Sequence, residues 1–202
     1  MSDPRDHVRV NLKGGQVLLL QTTNQSVDVL AQILTGFGAQ QFHRCTTFEQ
    51  AKAVVDHVTI DLMLVEGQLA DGNRDGYDFV RWLRKSGLVP NAFAPVIMTV
   101  GHTSDANVAR ARDCGAHFVI GKPIVPAVLW ERVLWTAREA RAFVKVGDVY
   151  AGPDRRFKNE GPPPGIDGRR SGDLPPEVGE AKEPNLQQDT IDSLLAPRKV
   201  SL

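Results

Sequence analysis

The 202-residue sequence predicts an α/β fold, a doubly wound five-stranded parallel sheet with five helices, and three observations carry that expectation. Short apolar runs alternate with helical patterns between residues 16 and 143. The runs around 17–20 and 60–65 are nearly continuous in apolar residues, as strands buried on both faces must be. The segments joining them are long enough for helical crossovers, which parallel strands require.

Each element has its own signal. Residues 17–20 form a buried first strand. A helix follows, with Ser26 as the expected N-cap, Val27, Leu30, Leu34 and Phe37 on one side, and Gly38 at its end. Residues 40–45 read as a weaker strand. Thr46 and Glu49 have capping-box spacing before a second helix. Residues 60–65 make the third strand and 76–85 the third helix, with Phe79, Val80 and Leu83 inward. Residues 95–100 make the fourth strand. Ser104 opens a short Ala-rich helix that Gly115 closes. Residues 117–120 make the fifth strand, and 126–143 a last helix carrying Trp130, Val133 and Leu134. Trp82, Trp130 and Trp135 fall at helical spacings and are expected to pack. Chains of this pattern commonly take the flavodoxin-like order 2-1-3-4-5, with the ligand edge beyond the carboxyl ends of the strands. That edge collects Gln21, Thr22, Glu66, Val100 and Lys122.

Composition bounds the rest. Lys+Arg and Asp+Glu both total 24, so the formal net charge is zero. That speaks against general nucleic-acid binding, and no DNA contact is expected. The two cysteines, Cys45 and Cys114, lie in apolar patterns and read as buried free thiols. The N-terminus lacks the apolar region of a signal peptide, and no window approaches the roughly 18 apolar residues of a membrane span. A cytoplasmic protein is expected. Eight of the 13 prolines follow Tyr150. The organisation read from the chain is a flexible lead-in (1–14), a folded domain (15–146), a disordered linker rich in Pro, Gly and Arg (147–186) and a tail with a short amphipathic helix (187–202).

Four blocks, "DLMLVEGQ", "DGYDFVRWLRKSG", "APVIMTVGHTS" and "DCGAHFVIGKPI", resemble in order and spacing the receiver domain of bacterial response regulators, in a degenerate, chemotaxis-regulator-like form. The resemblance implies two-component phosphorelay signalling and a cis peptide at Lys122–Pro123. It also implies a phosphoacceptor aspartate at the end of the third strand, where this chain has Glu66. An acidic pair for Mg²⁺ is implied where Gln21 and Thr22 stand. A Thr or Ser is implied at Val100, with Thr99 one step early and therefore on the opposite face. The family's aromatic switch position falls on Val119. Lys122 alone matches outright.

Mg²⁺ favours carboxylate oxygens in near-octahedral array, and two of the three carboxylates are missing. Glutamate also reaches about one C–C bond, roughly 1.5 Å, beyond aspartate. The expectation is a pseudo-receiver with no catalytic residue, no metal and no cofactor, in which Glu66 pairs directly with Lys122. Asp71 and Asp75 are the weaker candidates for substitute ligands. His102 and His117 read as isolated surface or strand-edge histidines, because no ligand partner lies at metal spacing.

By resemblance the fourth helix, fifth strand and fifth helix form the contact surface, exposing Arg110, Arg112, Glu131 and Arg138. The partner is a signalling protein: a histidine kinase, another receiver, or a motor or chemotaxis component. In the tail, Ile191, Leu194 and Leu195 share a helical face, with Asp189 near its start, and are the partner-binding candidates. With Gln188 and Asp192 they resemble the receiver-binding peptide of flagellar motor switch proteins. Two alternatives stay open: a phosphoacceptor with unusual ligands, and a cyclic-dinucleotide sensor using Arg155, Arg156, Lys158, Arg169 and Arg170.

Overall fold

In the computed structural model, the described residues are 12–70, 74–138, 141–147, 149–154, 187, 188, 190 and 191. In chain order the elements are β1 (Gln16–Leu20), α1 (Asn24–Gly36), β2 (Gln41–Cys45), α2 (Phe48–His57), β3 (Leu62–Glu66), α3 (Gly76–Lys85), β4 (Val96–Val100), α4 (Asp105–Cys114), β5 (Phe118–Gly121), α5 (Pro126–Arg138), β6 (Phe143–Val146) and β7 (Tyr150–Pro153). The first five strands form one parallel sheet in the order β2-β1-β3-β4-β5, as expected.

Alternation along each strand sorts the core into two layers. Leu18, Leu20, Met63, Val65, Met98, Val100 and Val119 face one layer, closed by α2, α3 and α4 through Phe48, Phe79, Leu83 and Val108. Val17, Leu19, Leu64, Ile97 and Ile120 face the other, closed by α1 and α5 through Leu30, Leu34, Leu129 and Val133. The three tryptophans pack as expected: Trp82 on Phe48, Trp130 on Phe37 and Trp135 on Phe118. Both cysteines are buried and free.

Helix starts differ slightly from the sequence reading. Thr23, not Ser26, caps α1: its hydroxyl accepts from the Ser26 N–H. Thr47 caps α2 by accepting from the Gln50 N–H, while the Gln50 side chain returns to the Thr46 N–H. The capping hydroxyl lies three residues before the expected one at α1 and one residue after it at α2, and in each case it reaches a donor that the helix itself leaves unbonded.

The C-terminal part of the domain needs a larger correction. The last helix stops at Arg138 rather than running to 143. Phe143–Val146 then pairs antiparallel with Tyr150–Pro153, inside what the sequence marked as linker. Leu12, assigned to the lead-in, is partly buried against the second layer.

The β6–β7 hairpin lies against α3 and α4, over Arg84. Arg84 is 7% exposed, and its guanidinium donates to the carbonyls of Gly115 (3.0 Å) and Ala92 (2.8 Å) and sits over the Phe143 ring. No carboxylate faces it among the described residues, and burial lowers its pKa to about 10. Gly115, at φ +99°, is required there twice over. The left-handed backbone disfavours a side chain, and a Cβ would sit 2.7 Å from the Ala151 carbonyl oxygen of the hairpin.

His117, expected at the surface or at a strand edge, stands just before the edge strand β5 but is buried at 6% exposure, and its Nδ1 accepts from the Val96 N–H at 3.1 Å. Burial, then the nearby Arg84 and Arg141 charges, hold its pKa well below the ordinary 6.5. The folded chain keeps this ring neutral where the unfolded chain protonates it, so stability is lost as pH falls below about 6.5, with a slope approaching about 1.4 kcal/mol per pH unit from this one group. His117→Asn keeps an acceptor for Val96. Urea melts at stepped pH are expected to show a shallower acid slope in that variant; an unchanged slope would place the acid sensitivity elsewhere.

Candidate functional site

The carboxyl ends of β1, β3, β4 and β5 converge on one edge of the sheet, and Glu66 stands at its centre. Its side chain is 12% exposed. Oε1 accepts from Lys122 Nζ at 2.5 Å, and Oε2 accepts from the backbone N–H of Thr22 at 2.8 Å. The two carboxylate oxygens therefore tie β5 and β1 to β3. Lys122 is placed by the turn after β5, where the Lys122–Pro123 peptide is cis, and by its N–H, which donates to the Val100 carbonyl.

The other residues picked from the sequence are present at this edge in distinct roles. Gln21 is fully buried; its Nε2 donates to the Leu64 carbonyl and its Oε1 accepts from the Thr99 hydroxyl, both at 3.3 Å. Thr99 thus faces away from Val100, two residues beyond Ile97 on the second layer. The Thr22 hydroxyl donates to the Gln68 carbonyl at 2.7 Å and fastens the loop after β3. Val100 is buried in the first layer with Val119. It offers carbon where a hydroxyl would offer a hydrogen bond. Beside Lys122, a cleft of about 360 Å³ opens between α1 and the turn after β5, lined by Gln21, Gln25, Ser26, Val29, Leu30 and Ile124 among others.

The loop that leads to α3 is fixed by packing. Asp75 caps α3 by accepting from the Asp78 N–H, with Asp78 returning the bond, and it pairs with Arg110 at 2.6 Å. Arg110 lies over the buried Tyr77 ring. The sequence placed Arg110 on an exposed surface; it is instead half-buried between α3 and α4. Asp75 is likewise committed to the helix start and is no substitute ligand. Gly76 passes so close under β3 that a Cβ would stand 1.8 Å from the Glu66 carbonyl oxygen.

These commitments decide whether the Mg²⁺ that the resemblance implies suits the residues present. Both Glu66 oxygens are engaged by donors, both polar ends of the Gln21 amide are bonded, and the Thr22 hydroxyl is turned to the Gln68 carbonyl. Among the described residues, no group of three or more His, Cys, Asp or Glu side chains gathers to hold a cation. A single carboxylate already paired with an ammonium does not fit a divalent ion that prefers several oxygen anions.

Of the tail candidates, Ile191 is 1% exposed and belongs to the first core layer. Leu194 and Leu195 lie outside the described residues, as do Asp71, Asp189, Asp192 and the arginine-rich stretch holding Arg155, Arg156, Lys158, Arg169 and Arg170. Gln188 had appeared only as part of the tail's motif; its side chain donates to the Val119 carbonyl at 3.1 Å. Among the described residues, no helix is long and apolar enough to cross a membrane.

A family model described as the response regulator receiver domain matches residues 17–134. The transcriptional regulatory protein GltR of Pseudomonas aeruginosa is 27% identical over 151 residues, covering 73% of this chain and 60% of its own. The chain therefore spans less than two thirds of that relative. Among solved structures, a two-component response regulator from Clostridium difficile is similar with a TM-score of 0.56 at 19% identity, covering 63% of this chain and 99% of that one. A CheY-like receiver domain protein from Methanospirillum hungatei JF-1 is similar with a TM-score of 0.52 at 23% identity, covering 59% and 90%. At these identities the structural matches show the fold alone.

Proposed function

The chain belongs to the response regulator receiver domain family of two-component signalling, and on that premise we propose that it is a pseudo-receiver, an adaptor that works by protein contact and does not accept a phosphoryl group. The observation that carries the proposal is the closed pair between Glu66 and Lys122 at 2.5 Å, with Thr22 holding the second carboxylate oxygen. Phosphoryl transfer to a carboxylate is mostly positioning and charge stabilisation. Here the attacking group is a residue longer by one methylene, its oxygens are occupied, and the neighbouring positions Gln21 and Thr22 bring no negative charge to seat a cation.

The same geometry gives the pair a positive role. An ammonium and a carboxylate in contact join β3 to β5 without a ligand. Val100 and Val119, in the hydroxyl and aromatic positions of the family, fill the space behind them with carbon. A domain built this way rests in one arrangement, and signalling partners, kinases or other receivers, would read its surface rather than its phosphorylation state. Glu131 and Arg138 on α5 are exposed for such contact.

Incubation of the full chain with a small-molecule phosphodonor and Mg²⁺, followed by intact-mass measurement, tests this. The expected mass is unchanged, and it stays unchanged in Glu66→Asp, because shortening the side chain does not restore the missing charge on β1. A Mg²⁺-dependent gain of one phosphoryl group by the wild type would replace this reading with that of a phosphoacceptor using unusual ligands.

A further inference from the structure

The tail returns to the domain at one place. Residues 188, 190 and 191 are helical, and the Ile191 N–H donates to the Gln187 carbonyl at 3.1 Å. Gln188 and Ile191, three apart, lie on the same side of that helix. One donates to the Val119 carbonyl of β5; the other is 1% exposed within the layer that holds Val119 and Val108. Thr190, off that side, is exposed. The strand it meets is an edge strand, with no further strand beyond β5 in the sheet order. Edge strands invite pairing with other chains and are commonly covered.

We propose that this segment is an intramolecular plug: in the same chain, it occupies a docking face on β5 and α4 that otherwise accepts a separate amphipathic helix, one presenting a glutamine and a branched aliphatic residue three positions apart. Thirty-three residues, 154–186, separate β7 from the segment. Fully extended, they reach about 100 Å, so the connection does not dictate where the segment lands, and closing so long a loop costs only slightly more than closing a shorter one. Apolar side-chain burial and a matched donor select the β5 face instead. Ile191 supplies apolar burial and Gln188 a side-chain hydrogen bond, and a competing helix that offers the same two groups can displace them. The tethered copy lowers the apparent affinity of any such competitor by the fraction of time the face is open.

A fluorescent synthetic peptide of residues 185–202 serves as the competitor against the full chain. Ile191→Asp, which cannot bury its charge, expels the tethered copy. The variant is expected to bind the peptide at least about tenfold more tightly than the wild type. Gln188→Ala, a milder change that leaves the packing intact, is expected to fall between them. In hydrogen exchange, β5 amides lose protection in Ile191→Asp, while β1 and β3 amides keep theirs and report that the domain is folded. Equal peptide affinity in wild type and both variants, or binding to none, overturns the proposal. So does β5 protection that appears only with concentration-dependent dimerisation, which would make the occupant a second copy's tail.

Discussion

Gly76→Ala is expected to lower the stability of the domain by at least about 3 kcal/mol. On most helices the change would be favourable, since alanine loses less backbone entropy than glycine, by about 0.5–1 kcal/mol. Here the added carbon would meet the Glu66 carbonyl oxygen at 1.8 Å and its carbonyl carbon at 2.9 Å. Both are backbone atoms of a central strand, so no rotamer change relieves the overlap. Either α3 retreats, taking its Asp75 cap and the Gly76–Gly67 hydrogen bond with it, or the end of β3 moves and the Glu66–Lys122 contact is lost. Thermal melts should show a fall of roughly 6–12 °C at the common 2–4 °C per kcal/mol. Gly36→Ala, at the end of α1 with nothing within 4 Å of its Cβ, is the comparison and should be neutral or slightly stabilising. Equal behaviour of the two variants would refute the close approach at Gly76.

Lys122→Met should cost about 1.5–3 kcal/mol. Methionine keeps the length and apolar stem of lysine, so the loss reads chiefly the charged contact. Glu66, at 12% exposure, would keep one donor, the Thr22 N–H, against its full negative charge. Removing one member of a desolvated pair is worse than removing both, because the survivor stays buried and uncompensated. Lys122→Met combined with Glu66→Gln is therefore expected to be more stable than Lys122→Met alone, and the double-mutant cycle should return a coupling of at least about 1 kcal/mol. Simple additivity would mean that the two side chains act independently and that the edge is a solvated remnant.

Much of this was legible in the sequence, for a physical reason. The parallel sheet followed from strands apolar on both faces, and the α3 span from the inward spacing of Phe79, Val80 and Leu83. The Glu66–Lys122 pair followed from topology, because both residues leave the carboxyl edge of one parallel sheet, one on each side of β4. The opposite facing of Thr99 and Val100 followed from the two-residue period of a strand. What was missed lay where two signals competed. The segment "FVKVGDVYAGP" carries two short strand-like runs around Gly147-Asp148, a hairpin signature, but the proline-rich composition that follows outweighed it. His117 and Arg84 were unreadable as buried groups, since a polar residue shows its burial only once its partners are known: the Val96 N–H for one, and the Gly115 and Ala92 carbonyls for the other. Ile191 stood out by helical spacing, but spacing does not say which surface takes it. The Gln188–Val119 bond does.

The central claim is that the edge around Glu66 is closed by Lys122 and Thr22 and has no place for a divalent cation. The most direct measurement is a Mg²⁺ titration of the full chain followed by backbone amide resonances. The account predicts no saturable shift at residues 21, 22, 66 and 122 through millimolar Mg²⁺, with only the small linear drift of ionic strength. A saturable shift localised to those four amides would contradict it, since it would require Glu66 to release its ammonium partner in favour of the metal.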